Sequence, residues 1–191
     1  QASRRCRTPR HLRGVRLTFQ AMLRLDLVRL DREGHGVVEA RIPPDDPLWE
    51  DMGVKLVDPV EVRLRATVAG TGEVVVLGDM STRLVQECRR CLESVKGGVD
   101  ADVTMVFVPS DTPGAEDDGD ARVFDGGASE IDLSVPVREE LLLAMDLFVV
   151  CDPECKGLCP QCGVNWNTDS CECTEDKSDP RWDALRTLQK E

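Results

Sequence analysis

From Val60 onward the chain alternates apolar and polar side chains with few interruptions. Val60, Val62, Leu64, Ala66 and Val68 fall on one face of "PVEVRLRATVAG" and charged residues on the other. A period of two is that of a half-buried strand. "GTG" at 70–72 reads as a hairpin turn and "EVVVLGDMSTRLVQEC" as the returning strand, with Gly78 as a bulge. "CRRCLESV" breaks the alternation, and "GGVDADVTMVFVP" resumes it with Val99, Val103, Met105 and Phe107. Upstream, Leu23, Leu25 and Leu27 alternate with Arg24 and Asp26, so residues 22–31 read as a further strand. "RIPPDDPLWEDMG" carries three prolines and is expected to be irregular.

Near residue 135 the apolar period lengthens to that of a helix. In "IDLSVPVREELLLAMDL" the residues Val137, Leu141, Leu142 and Met145 make one stripe. Ser134 is placed to cap this helix, and Pro136 fits its first turn. The expectation is a helix near 135–146 packed on the sheet. Residues 110–130 set seven acids against Arg122 alone and read as a solvated loop, with a docking site for a basic partner as the alternative. "SDPRWDALRTLQKE" closes the chain as a short helix with Trp182, Leu185 and Leu188 on one face.

These elements predict an α+β fold: an antiparallel sheet of long β-hairpins, one packed helix, and a C-terminal cysteine-rich, zinc-ribbon-like module. The expected organisation is a basic tail (1–21), a β-rich core (22–150) and a zinc-binding tail (151–191) that includes the terminal helix.

Charge sharpens this division. The net charge is −12, yet residues 1–21 carry six arginines and no acid, leaving 18 basic against 36 acidic side chains in the rest. A body at −18 repels nucleic acid at long range, so any RNA contact needs a local basic patch. The basic start lacks the apolar stretch of a secretory signal; it reads as translated sequence upstream of Met22, or as an imitation of an organelle transit peptide. The longest apolar run, "LLLAMDLFVV", is broken by Asp146 and falls well short of the ~20 residues of a membrane span, so no membrane association is expected.

The chemistry sits in the cysteines. Setting Cys6 aside leaves Cys88, Cys91, Cys151, Cys155, Cys159, Cys162, Cys171 and Cys173. "CRRC" and "CPQCG" both space two cysteines by two residues, the spacing of a zinc knuckle, and eight thiolates suffice for two tetrahedral four-sulfur sites. Disulfides fit poorly with paired short spacings and no export signal. Thiol exchange would call for a βαβ context that the pattern lacks. Zinc is the favoured ion, and iron suits the same geometry. Cys159, Cys162, Cys171 and Cys173 can close a site locally, which leaves Cys88, Cys91, Cys151 and Cys155 for the other. An interleaved scheme, or one ion with spare thiols, stays open. Four protein ligands leave no vacancy for water, so both sites read as structural. Arg89, Arg90 and Lys156 lie in the same loops and would offset the sulfur charge.

No enzyme signature accompanies them. There is no glycine-rich phosphate loop; His35 lies in a "GHG" turn and His11 in the basic tail, neither with a nucleophile or carboxylate partner.

In order, "ECRRCLESV", "DLSVPVREELLLAMDL", "CDPECKGLCPQCGVNWNTDSCEC" and "DPRW" resemble the YceD-like family, the large ribosomal RNA subunit accumulation proteins, over Met22 to Leu188. Trp166 stands where an aliphatic residue is expected, a packing change. The resemblance implies a bacterial, cytoplasmic, non-enzymatic ribosome-biogenesis factor that supports accumulation of large-subunit (23S) rRNA and takes no small-molecule substrate. Its implied partner is that rRNA or its precursor particle; a basic ribosomal protein, with this chain as its acidic adaptor or chaperone, is the alternative. Some relatives keep only the pair matching Cys88 and Cys91 with ligands near Cys151 and Cys155, which agrees with two separate sites. On this reading Arg89, Arg90 and Lys156 are the candidate contacts to RNA or partner, or else serve only to neutralise sulfur charge.

Overall fold

A computed structural model describes residues 23–70, 72–114, 119 and 121–173. Along the chain run β1 (Arg24–Asp26), α1 (Leu27–Glu33), β2 (His35–Ile42), a 3-10 turn (Pro47–Trp49), β3 (Lys55–Leu56), β4 (Val60–Ala69), β5 (Glu73–Glu87), β6 (Ser94–Pro109), β7 (Ala121–Phe124), β8 (Glu130–Asp132) and α2 (Ser134–Ala144). The fold is α+β. One sheet has the order β2-β4-β5-β6-β7 with β3 on β5, and a two-stranded ribbon joins β1 to β8. The pairing is antiparallel between β2 and β4 and between β4 and β5, while β6 and β7 run parallel. The terminal helix expected at 178–188 and the basic tail lie outside the described residues.

The described residues divide into two compact units, one of those up to Leu84 with Gly97–Met145, the other of Val85–Lys96 with those from Asp146 onward. The first unit owns the hydrophobic core. Val60, Val62, Leu64 and Ala66 of β4, Val103, Met105 and Phe107 of β6, and Val137 and Leu141 of α2 are all buried in it. Each fully buried aliphatic side chain is worth about 1.5–3 kcal/mol over its exposed state. Val68, expected on the same stripe, is instead 45% exposed.

Several expectations are corrected by local chemistry. Alternation around Leu23 and Leu25 yields only the short β1, because Asp26 accepts a hydrogen bond from the Arg29 N–H (2.8 Å) and starts α1. Leu30 then points to the core, and Gly34 at φ 74° ends the helix. His35 is not in a turn but opens β2, opposite Thr67. Gly78 is not a bulge: the β4–β5 register passes through Leu64–Gly78 without a slip. A Cβ there would collide with the Arg63 carbonyl and come within 2.9 Å of Leu64 Cα, so close backbone approach is what requires glycine.

Ser134 does not cap α2. Leu133 stands at the cap with no side-chain bond, and Ser134 is the first helical residue, its N–H on Asp132 Oδ1 (2.8 Å). The 110–130 segment is not wholly loop, since Ala121–Phe124 forms β7 on β6. Arg122, its lone cation, pairs with Glu139 and Glu140 of α2.

Candidate metal centres in the cysteine-rich unit

Two turns of the same construction carry four of the cysteines. In the turn joining β5 to β6, the Cys88 N–H donates to the Glu93 carbonyl (2.8 Å) and the Leu92 N–H to the Cys88 carbonyl (2.9 Å). In the tail, the Cys159 N–H donates to the Val164 carbonyl (2.8 Å) and the Gly163 N–H to the Cys159 carbonyl (2.9 Å). The residue after each second cysteine is left-handed, with φ 61° at Leu92 and 74° at Gly163. This winding turns backbone N–H groups onto the first sulfur of each pair. The Arg90 N–H lies 3.4 Å from Cys88 Sγ, and those of Gln161 and Cys162 serve Cys159.

The remaining cysteines complete two groups. The sulfurs of Cys88, Cys91, Cys151 and Cys155 lie within 4.8 Å of one another, as do those of Cys159, Cys162, Cys171 and Cys173. Cys88 and Cys155 are 3.9 Å apart at Sγ, and Cys91 and Cys151 3.5 Å. A tetrahedron with zinc–sulfur bonds of ~2.3 Å has an edge of about 3.8 Å, whereas a disulfide needs about 2.05 Å. The first group therefore has the spacing of a metal cage. Its Cys88, Cys91 and Cys155 are buried beside Val95 and Leu158, and Cys151 is exposed. In the second group only Cys159 is buried, with Cys162 and Cys173 exposed.

The groups are electrostatically prepared for thiolate. Burial opposes charge at Cys88, but the backbone N–H groups of Cys91, Cys151 and Arg90 outweigh it and hold the thiol down at about 6. The N–H groups of Cys162 and Gln161 bring Cys159 to about 6 as well. Other thiols move the other way: Cys91, where the Glu93 N–H is outweighed by burial and Cys88, and Cys151 in the first group, and Cys173 in the second. Hydrogen bonding with Cys91 and Cys155, then burial, push Cys151 up to about 12; Cys162, then burial, push Cys173 up to about 12. Without an ion each cluster keeps a proton in its sulfur network, and a divalent cation can replace it.

Side chains outside the cysteines complete the cages, and only weak signs of them are visible in the residue pattern. The Asn167 amide donates to Cys155 Sγ (3.3 Å), and the Trp166 indole N–H to Cys171 Sγ (3.4 Å). Trp166 is thus not merely a packing substitute for an aliphatic residue; it supplies a donor to a sulfur. Asn167 is held by the Lys156 N–H on its Oδ1 (2.8 Å) and by its own amide on Asn165 Oδ1 (2.8 Å). Asn165 in turn donates to Glu93 in the first knuckle (3.1 Å). Gly157 at φ 79° lets this loop pass the first knuckle, where a Cβ would sit 3.0 Å from the Arg90 carbonyl.

Arg89 and Arg90 are exposed but engaged. Arg89 donates to the Leu147 carbonyl (2.9 Å) and lies over the Phe148 ring, 4.7 Å from its centroid. Arg90 donates to the carbonyls of Pro153 (3.0 Å) and Cys155 (2.9 Å), tying the knuckle to the loop that carries Cys151 and Cys155. Lys156 lies exposed in the same loop. Among the described residues no helix is long and apolar enough to cross a membrane.

Both cysteine groups fall inside a stretch, residues 76–189, that matches the family described as large ribosomal RNA subunit accumulation protein YceD. The uncharacterized protein Rv2926c of Mycobacterium tuberculosis is 32% identical over 167 residues, 84% of this chain and 78% of that protein. YlbN of Bacillus subtilis is 30% identical over 72% of this chain and 78% of its own length. The chloroplastic YCED homolog 1 of Zea mays is 31% identical over 53% of this chain and 44% of its own length. No solved structure matches. With 114 of its 191 residues (76–189) inside the match, the chain belongs to the YceD family of large ribosomal RNA subunit accumulation proteins.

Proposed function

We propose that the protein is a non-enzymatic, cytoplasmic factor that supports accumulation of large-subunit (23S) rRNA, with two structural zinc ions shaping its cysteine-rich unit. The first ion would be held by Cys88, Cys91, Cys151 and Cys155, the second by Cys159, Cys162, Cys171 and Cys173. One observation carries the reading. The stretch matched to the family contains two groups of four cysteine sulfurs, each of which would fill all four positions of a tetrahedral ion and leave none open for catalysis. Zinc there supplies cross-linking: the described part of this unit buries few apolar side chains of its own around the first cage.

The test has two parts. Elemental analysis of purified protein is expected to give about two zinc ions per chain. Depletion in cells is expected to lower 23S relative to 16S rRNA, with the protein co-sedimenting with large-subunit precursors at moderate salt. Normal rRNA ratios after depletion would defeat the assignment.

A second reading is favoured by the fate of two predicted contacts. Arg89 and Arg90 already spend their guanidinium groups on carbonyls of their own unit, while the chain beyond residue 21 is strongly acidic. An acidic adaptor for a basic ribosomal protein accounts for both facts. Neutralising Glu116, Asp117, Asp118 and Asp120 to their amides separates the readings. The adaptor reading expects loss of affinity for basic ribosomal proteins with rRNA affinity unchanged; the opposite result removes it.

A further inference from the structure

The first unit carries a groove of about 550 Å³ whose floor includes Leu27, Leu30, Val74 and Phe124. It opens where the β4 stripe fails: Val68, at 45% exposure, lines it instead of entering the core. Two carboxylates, Asp31 and Asp111, stand in its wall, and among the described residues no lysine, arginine or histidine lines it. Some carboxylates of this unit pair with arginine, as in Glu130 with Arg24, Asp58 with Arg83, Glu61 with Arg41 and Glu139 with Arg122, while among the described residues others, such as Glu39 and Asp102, do not. Among the described residues neither Asp31 nor Asp111 has a hydrogen bond or ion pair to its carboxylate. An apolar floor beside acids is complementary to a pairing of apolar and cationic side chains that the described residues do not supply.

We propose that this groove docks a basic protein segment, seating an apolar side chain on Val68 and Phe124 while neighbouring lysine or arginine side chains reach Asp31 and Asp111. The inference rests on the adaptor reading and names its surface. A cationic side chain near these acids gains Coulomb attraction, and its aliphatic stem covers apolar area. Nucleic acid would bring phosphate against the same carboxylates, which disfavours it.

The full chain, isotope-labelled, is titrated with the peptide acetyl-LRKLRKL-amide and followed by amide chemical shifts. Saturable shifts are expected at Val68, Val74 and Phe124. The Asp31→Asn, Asp111→Asn double variant is expected to bind about tenfold more weakly, as two rim charge pairs allow. Val68→Lys, at a position already half exposed and so tolerant of charge, is expected to abolish the shifts. Unchanged affinity in either variant overturns the proposal. So does equal binding of a leucine-free lysine–arginine peptide, or an oligouridylate that moves the same resonances. Co-sedimentation with large-subunit precursors is read in parallel. If it persists while the peptide fails to bind, the groove assignment falls and the assembly role stands. Peptide binding without co-sedimentation supports the groove and removes the ribosomal reading.

Discussion

Leu92 and Gly163 occupy the same place in two copies of one turn, and both are left-handed. Glycine takes that backbone freely, whereas an L-residue there costs about 1–2 kcal/mol. Gly163→Leu, which gives the second turn what the first already carries, is expected to destabilise by that amount in denaturant titration of the metal-loaded protein. Leu92→Gly should gain less, about 0.5 kcal/mol, because the unfolded chain also becomes freer. The donors to sulfur belong to the same scale. Trp166→Phe keeps the ring and removes the hydrogen bond to Cys171, and Asn167→Ala removes the one to Cys155. Each is expected to speed metal loss from its own site about tenfold, read by chelator competition, and to leave the other site unchanged. Equal loss from both sites would show that these donors act through the fold instead.

At the scale of elements, two positions hold the sheet and helix under unusual local conditions. Gly78 lies where β4 and β5 leave no room for a Cβ, so Gly78→Ala should cost about 1–3 kcal/mol of thermal stability through overpacking of backbone on backbone. Ser134 is buried with its hydroxyl unpartnered, and Ser134→Ala should stabilise by about 1 kcal/mol by removing that desolvation cost. A drop in melting temperature for the alanine variant would mean that Ser134 has a role its contacts do not reveal. The same two residues mark what the sequence could convey about elements. The alternation from Val60 to Ala66 and from Val103 to Phe107 fixes strands because burial enforces a period of two. Whether a glycine in such a run means a bulge or a close approach depends on the neighbouring strand, which the local string does not contain. Likewise β7 is short and without clean alternation, recruited by pairing with β6, whereas β2 carries Val38, Ala40 and Ile42 at a period of two that announces a strand.

For the molecule as a whole, the two units differ in what holds them. The first has a large apolar core; the described part of the second buries little beyond Cys88, Cys91 and Cys155. On the zinc assignment, chelation at neutral pH should unfold the cysteine-rich unit and leave the sheet's circular dichroism intact. Simultaneous loss of both signals would make the metal a requirement of the whole fold. The pH dependence has a definite sign. Cys151 and Cys173, held at about 12 without an ion, are protonated at neutral pH and must release a proton on binding. Affinity therefore rises with pH across the neutral range, and calorimetry in buffers of different ionisation enthalpy should register at least one proton released per ion. Below about 6, Cys88 and Cys159 also protonate in the free protein, and the slope steepens. The spacing of the chain favoured the grouping of sulfurs that their proximity shows, without excluding an interleaved one; the amide, indole and backbone donors around them were not legible, because they are set by turns whose φ angles no residue name gives for Leu92.

The two cages also differ in how much chain each must bring together. Cys91 and Cys151 are 60 residues apart, whereas Cys162 and Cys171 are separated by nine. Closing the longer loop costs roughly 1.5 kcal/mol more in chain entropy. The tail group can assemble from its own short segment. The other closes only when the chain between Cys91 and Cys151 has been brought round, so a cation bound there would depend on a far longer stretch of chain than one in the tail group.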